Sequence, residues 1–229
     1  SPFSFSRCAS ILLLSGEGYC HSLPHRLRFY MTKITDHKEY FDTCFDRQAL
    51  PSACFEGVIF EGCDFSHCNF TAARFIRCKF INCRFDQCNL SVMEIPDSRF
   101  NEVSFTECKL SGTDWTRAYW PAFNLDHELR FTQCLLSNAS FFGLTLQEVK
   151  MMECQLHDVD FRECDLSKAE ILNCDLAGSL FNRTNLQAAD LTDSRDFSIN
   201  VLNNSVAGAT FSRLEALSLL ESLGVNLVD

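Results

Sequence analysis

The sequence predicts an all-β solenoid, a chain that turns once every five residues around a common apolar axis. Three observations point there. From Phe45 every fifth residue is large and apolar. Two residues before it sits a smaller side chain, most often Cys. The other three positions are polar. The same arrangement accounts for an odd composition, 22 Phe and 14 Cys against 2 Trp and 4 Tyr in 229 residues. A period of five fits neither the 3.6 of a helix nor the 2.0 of a strand, so a plain element of either kind would scatter the large residues. Only a turn in every repeat points them all at one axis, and such a repeat takes precedence over local helix or strand assignments.

Residues 1–30 differ from the rest. Met31-Thr-Lys reads as an ordinary start, and the apolar stretch Ile11 to Leu14 is too short for a signal-peptide core. This segment is expected to be a disordered extension. Without it the chain keeps 17 basic and 29 acidic residues, a net charge of −12 in place of −10. No apolar run approaches the roughly 18 residues that span a bilayer, so no membrane association is expected. Residues 31–44 are expected to form an N-terminal cap.

The repeats proper run over 45–211. All 17 five-residue steps from Phe45 to Leu125 are apolar, the frame slips by one within 126–130, and 16 of the 17 steps from Phe131 to Phe211 are apolar, Asp196 being the exception. The loop residues Asp126, His127 and Glu128 mark the interruption. The smaller inward position holds Cys63, Cys68, Cys78, Cys83, Cys88, Cys108, Cys134, Cys154, Cys164 and Cys174. Zinc sites prefer C-x₂₋₄-C pairs with converging geometry. Here the common gap is C-x₄-C across a turn, so these thiols are expected to fill the core as small hydrophobes, with no metal and no cofactor. Cys44 and Cys54 fall one step off the inward position.

Units such as Cys63-Asp64-Phe65-Ser66-His67, Cys164-Asp165-Leu166-Ser167-Lys168 and Ala189-Asp190-Leu191-Thr192-Asp193 resemble the pentapeptide-repeat family, whose pattern is A/C/S-D/N-L/F-S/T-X. The resemblance implies a right-handed quadrilateral β-helix with four repeats, or 20 residues, per coil. Thirty-four repeats then give about eight coils, a rod of about 40 Å at ~4.8 Å per layer. Residues 20 apart should stack: Phe60, Phe80, Phe100 and Trp120 in an aromatic ladder, Cys68, Cys88 and Cys108 in one thiol column, Cys63 and Cys83 in another, Cys134, Cys154 and Cys174 in a third.

Residues 212–229 predict a short C-terminal capping helix. Ser212-Arg213-Leu214-Glu215 reads as a capping box, and Gly224 suits the left-handed position after a helix end. Leu214, Leu217, Leu220 and Leu223 give this cap an apolar face, most simply a two-fold homodimer interface.

No catalytic constellation is present. The His residues are scattered, and there is no H-E-x-x-H, G-x-S-x-G, P-loop or G-x-G-x-x-G, so an enzyme is not expected. The acidic balance argues against direct nucleic-acid binding. Charge is uneven: residues 55–125 carry 9 acids and 7 bases, residues 126–211 carry 13 acids and 6 bases. Outward positions of the second half hold Glu148, Glu153, Asp158, Asp160, Glu163, Asp165, Glu170, Asp175 and Asp190. A rod as wide as a duplex and studded with carboxylates would offer a phosphate-like pattern to a basic saddle.

The uninterrupted length, the frame slip and the apolar C-terminal helix resemble the Qnr, McbG, MfpA and AlbG group of topoisomerase-interacting DNA mimics. Asn89-Leu90-Ser91, Ile95-Pro96, Trp115-Thr116, Trp120-Pro121 and Phe142-Gly143-Leu144 are most similar to AlbG-like members. The resemblance implies a cytoplasmic, dimeric, non-enzymatic protein that binds DNA gyrase, with topoisomerase IV as a second target, and that protects the enzyme from a poisoning antibiotic or modulates its response. The long loops that in Qnr bear on quinolone protection have no counterpart here. The alternative reading is a generic interaction scaffold with an unrelated partner.

Overall fold

A period of five leaves room for about three extended residues between turns, and the strands have that length. The computed structural model describes residues 33–121 and 128–228, all within the compact unit Thr32–Asp229. The expectations for residues 1–30, and for Asp126 and His127, lie outside the described residues. The chain winds as a right-handed quadrilateral β-helix of about eight coils, with one short helix near the C-terminus. One face carries a nine-stranded parallel sheet: Cys44–Asp46, Asp64–Ser66, Arg84–Asp86, Val103–Thr106, Leu129–Thr132, Lys150–Met152, Glu170–Leu172, Asp190–Leu191 and Thr210–Phe211. Call this the first face, and number the others in chain order. The fourth face holds a four-stranded sheet, Glu39–Phe41, Ile59–Glu61, Lys79–Ile81 and Arg99–Asn101, and the third a pair, Cys54–Glu56 and Arg74–Ile76. Isolated parallel bridges such as Asn69↔Asn89 continue the ladder elsewhere. Register advances by 20 residues per coil, as in Phe65↔Phe85 and Phe60↔Phe80.

The large apolar residues meet on the axis as aromatic stacks. Phe45, Phe65, Phe85, Phe105 and Phe131 follow one another at 4.9, 4.5, 5.0 and 5.2 Å between ring centroids. Tyr40, Phe60, Phe80 and Phe100 do the same at 5.6, 5.0 and 5.0 Å. The two stacks touch edge-on, as between Phe60 and Phe65 at 5.2 Å. Offset stacks along the axis and edge contacts across it suit the ring quadrupoles. Tyr40 is already part of this core, pairing with Phe60 through strand Glu39–Phe41. The first coil therefore includes residues assigned from sequence to a separate cap: Ile34 is buried, and Asp36 Oδ1 accepts the Glu56 N–H.

Most described corners are made by the residue two after the central one, held in the left-handed region; Arg117, in the 3-10 turn Trp115–Arg117, is an exception. His67 (φ 54°), Gln87 (50°) and Glu153 (54°) are examples, and few corners use Gly. That conformation costs a non-glycine residue about 1–2 kcal/mol. The cost is met by inter-coil bonds: the His67 N–H donates to Asp86 C=O and the Gln87 N–H to Thr106 C=O, both at 2.9 Å. At some Gly corners a side chain would also force a neighbour to shift. A Cβ on Gly178 (φ +73°) would lie 2.3 Å from Asp158 Oδ1.

All ten inward Cys residues are buried, as the repeat requires. Their role is more than volume. The Sγ of Cys88 donates to Phe65 C=O (3.3 Å) and accepts the N–H of Cys68 (3.4 Å). Ser98 does the same with Phe75 C=O and the Cys78 N–H. Where a corner has an i→i+3 turn bond, as from the Ala73 N–H to Phe70 C=O, the following inward residue can be Ala. Where it does not, as at Cys68, Cys78, Cys88, Cys154, Val159 and Cys174, the orphaned N–H finds the thiol or hydroxyl one coil on. Burial pushes the Cys78 thiol up to about 11 and raises Cys164 too, so both thiols stay protonated.

The structure corrects four sequence expectations. First, Phe105 pairs with Phe131 and Ser104 with Arg130, an offset of 26. Six extra residues therefore enter at the corner between the fourth and first faces. The interruption ends earlier than 126–130, since Glu128 C=O already accepts from the Val103 N–H and Leu129 opens a strand. Second, the thiol column is not broken there. Cys134 Sγ donates to Phe105 C=O as Cys108 Sγ does to Phe85 C=O, so one column runs from Cys68 to Cys174. Third, near residue 196 the frame yields by one position: Asp196 is exposed at φ 58°, and Phe197 and Ile199 fill the core instead. Fourth, the C-terminal helix is a single turn and a half, Leu217–Glu221, without a side-chain cap. Ser212 Oγ instead accepts the Asp193 N–H and donates to its carboxylate, tying the tail to the coil beneath. Gly224 does take the left-handed position (φ 76°), with the Val225 N–H reaching Leu220 C=O.

Candidate protein-binding surface

Outward side chains occupy two kinds of site: the faces, one residue either side of the central position, and the corners. Five of the nine candidate acids precede a central residue on a face, and four of these build turns. Asp160, Asp165, Asp175 and Asp190 each accept, on Oδ1, the N–H two residues on, from Arg162, Ser167, Ala177 and Thr192. Asn69 and Asn89 do the same without charge, which explains D/N at that position of the repeat. Arg162 beside Asp160 holds its carboxyl below the usual carboxylate range. Burial pulls Asp165 up, but hydrogen bonds from Gln147, Ser167 and Asn185 outweigh it and the net shift is down. In Asp175 burial is likewise outweighed, by His157 (3.1 Å), the Ala177 N–H and Arg195 (3.0 Å).

A pH dependence follows. Carboxyls with depressed folded-state pKa contribute stability above the unfolded value of about 3.9, and that contribution is lost as pH falls through the folded values. Asp64, raised by burial, works weakly the other way. The melting temperature should fall on acidification below about pH 4. Asp165→Asn should cost less than about 1 kcal/mol at pH 7 and flatten that acid limb, because the amide oxygen keeps the turn bond. Thermal melts of both proteins from pH 7 to pH 3 check this; an unchanged acid limb would remove Asp165 from the account.

Three more candidates are paired with cations one coil away. Glu148 meets Lys168 (3.3 Å), Glu170 meets Lys150 (2.8 Å), and Glu163 is bonded to Arg183. The corner acids Glu148, Glu153, Asp158 and Glu163 lie on four different corners of one coil, since consecutive corners are five residues apart. The structure does not bring these nine acids together on one surface.

It assembles a different set. Along the corner between the first and second faces, successive coils carry Gln87, Glu107, Gln133, Glu153, Asn173 and Asp193, all exposed and all left-handed. Amide and acid alternate. Gln87 Nε2 donates to Glu107 (3.1 Å) and Gln133 Nε2 to Glu153 (2.7 Å). No Lys or Arg interrupts this column over six coils, and its carboxylates stand ~9.6 Å apart, two layers of ~4.8 Å. Of the nine candidate acids only Glu153 belongs to it. Glu107 and Asp193 were not singled out, although a count by 20, with 26 across the insertion, would have found them.

At the rod's end Leu214, Leu217, Leu220 and Leu223 are exposed, with Leu214 at 77%. Leu219 packs against the core. Among the described residues no three His, Cys, Asp or Glu side chains converge as metal ligands. A cleft beside the insertion, lined by Asn82, Arg84, Glu102, Ser104, Glu128 and Arg130, includes no Cys or His. No helix among the described residues is long and apolar enough to cross a membrane.

The profile described as "Pentapeptide repeat region" matches residues 58–127 and 124–191, more than half of the chain. No curated protein matches the sequence. Among solved structures, a trypsin-treated variant of QnrB1, a plasmid-mediated fluoroquinolone resistance protein, superposes with TM-score 0.54 at 18% identity, over 81% of this chain and all of that one. HetL, a pentapeptide repeat protein involved in heterocyst differentiation regulation in the cyanobacterium Nostoc, gives 0.49 at 15% identity, over 78% of this chain and 87% of that one. At such identities the likeness is one of fold, and it adds nothing to the AlbG-like resemblance. With the five-residue frame, the 20-residue register and the profile match in agreement, the chain belongs to the pentapeptide repeat family.

Proposed function

We propose that the chain is a non-catalytic, cytoplasmic docking rod for a type II topoisomerase, DNA gyrase first, and that it shields the enzyme from a poison or modulates its response. The observation that carries this reading is the stretch of corner from Gln87 to Asp193, which presents Glu107, Glu153 and Asp193 and has no Lys or Arg at its corner positions. It offers regular carboxylates to Lys and Arg of a DNA-binding saddle, where exposed opposite charges speed and orient docking. The resistance role of QnrB1 adds support at the level of fold. A supercoiling assay with purified gyrase, with and without a topoisomerase poison, tests it. Wild-type protein should inhibit or rescue, and Glu107→Lys with Glu153→Lys should abolish the effect while the melting temperature holds. Reversing Glu148 and Glu163, which pair with Lys168 and Arg183, should matter less. No effect of the wild type at micromolar concentration sinks the reading.

The rod would act as a two-fold dimer through Leu214, Leu217, Leu220 and Leu223. Leu217→Asp with Leu220→Asp should then halve the mass in solution by light scattering. A mass that does not change with these substitutions removes the helix from the interface.

A second reading, an interaction scaffold for another protein, draws on the same geometry. The corner bears one carboxylate per ~9.6 Å, against one phosphate per about 1.7 Å of duplex axis. Most other acids of the second half are paired or committed to turns. Pull-down with purified gyrase, against the charge-reversed corner as control, separates the two.

A further inference from the structure

The corner diagonally opposite the acidic one, between the third and fourth faces, has the other sign. On three consecutive coils it carries Arg77, Asp97 and Arg117. Beside them on the fourth face stand Lys79, Arg99 and Tyr119, all six exposed. Ile81 and Pro121, partly exposed, complete the same face. This is a net charge of +3, or +2 with Glu56 beside Arg77, on a chain whose total is −10. The Arg99 guanidinium lies 4.2 Å from the centroid of the Tyr119 ring, a cation–π contact that fixes both side chains in an open position. Arg77 is bonded to Glu56. Lys79 and Arg117 make no ion pair among the described residues, although acids are more numerous than bases on this chain.

We propose that this corner is a second docking surface, whose partner is an extended protein segment that alternates acidic and apolar side chains. Lys79 and Arg99 are one layer apart and Arg77 and Arg117 two, so the cations form two rows along the rod about 5 to 10 Å long. An extended segment advances about 3.3 Å per residue, so three or four residues lying along the axis span the patch. Its carboxylates meet the cation rows, and its apolar side chains meet Ile81, Pro121 and the open edge of Tyr119. A nucleic acid fits less well. Four cations give a weak phosphate grip, and a long polyanion continues over the acidic remainder of the rod, where a short segment does not. The surface is independent of the gyrase reading, which uses the opposite corner.

The test is fluorescence anisotropy of a labelled eight-residue peptide alternating Glu and Leu, with a labelled twelve-nucleotide single strand in parallel. Wild-type protein should bind the peptide saturably at low salt. Binding should weaken about tenfold or more in Lys79→Glu with Arg117→Glu, and fall as salt is raised beyond about 0.1 M, where the Debye length drops below about 10 Å. It should change little in Glu107→Lys with Glu153→Lys. Should the reversed variant lose its native melt, Lys79→Gln with Arg117→Gln removes charge without adding it and serves in its place. The proposal is overturned by absence of saturable peptide binding to the wild type. Equal binding by the Lys79/Arg117 variants, or tighter binding of the oligonucleotide with the same dependence on these residues, overturns it as well. Because the acidic corner is intact in the decisive variants, a failed supercoiling assay leaves this outcome readable.

Discussion

Phe80→Ala should destabilise the rod by about 3–5 kcal/mol, the cost of emptying a large aromatic site in a core that cannot collapse around it. Phe80 is 1% exposed and is stacked between Phe60 and Phe100 at 5.0 Å on each side, with Phe75 edge-on at 5.3 Å. The backbone around it is pinned by inter-coil bonds from both directions, so the cavity remains. A loss of that size is a large share of the roughly 5–15 kcal/mol that holds an ordinary domain. In a solenoid, where each coil contacts only its neighbours, it also weakens the coupling between them. Urea unfolding should show a lower midpoint and a broadened or divided transition. A loss under about 1 kcal/mol would mean the stack is not what couples the coils.

The second large effect separates two accounts of the Cys column. If Cys88 serves only as a small hydrophobe, Cys88→Val should be mild and Cys88→Ser costly. The hydrogen bonds reverse that order. Valine leaves the Cys68 N–H without its partner and adds a branch to a packed corner, at about 2–3 kcal/mol. Serine keeps both bonds, as Ser98, Ser179 and Ser194 do at equivalent sites, and should cost within about 1 kcal/mol. Denaturant melts of the two variants under reducing conditions decide it. Serine the more damaging of the two would return the column to pure packing.

The frame of five was legible because burial imposes it residue by residue. Phe45, Phe65 and Phe131 could be nothing but axial once the period was seen. What the sequence did not show was anything that depends on which residue lies one coil away. The thiols look like filler until the orphaned N–H of the coil beneath is found. Asp165 looks like a binding acid until its oxygen is seen to close a turn. Glu148, Glu153, Asp158 and Glu163 are regular along the chain, and for that reason they point in four directions around it. The offset of 26 hid the continuity of Cys108 with Cys134, because a count by 20 fails at the one place where the coil is longer. Asp196 is the one polar step in the frame, because exposing a charge and burying Phe197 is the cheaper solution.

The six residues added between the fourth and first faces leave no trace one coil later. Phe131 lies on Phe105, Cys134 bonds Phe105, and Lys109 pairs with Leu135 as if nothing had intervened. Each coil takes its alignment from the layer next to it and carries no memory of chain length. Corners are thus places where sequence can be added at almost no structural expense. A lineage of such rods can try new recognition elements at any of its edges, one at a time, without having to reinvent its core.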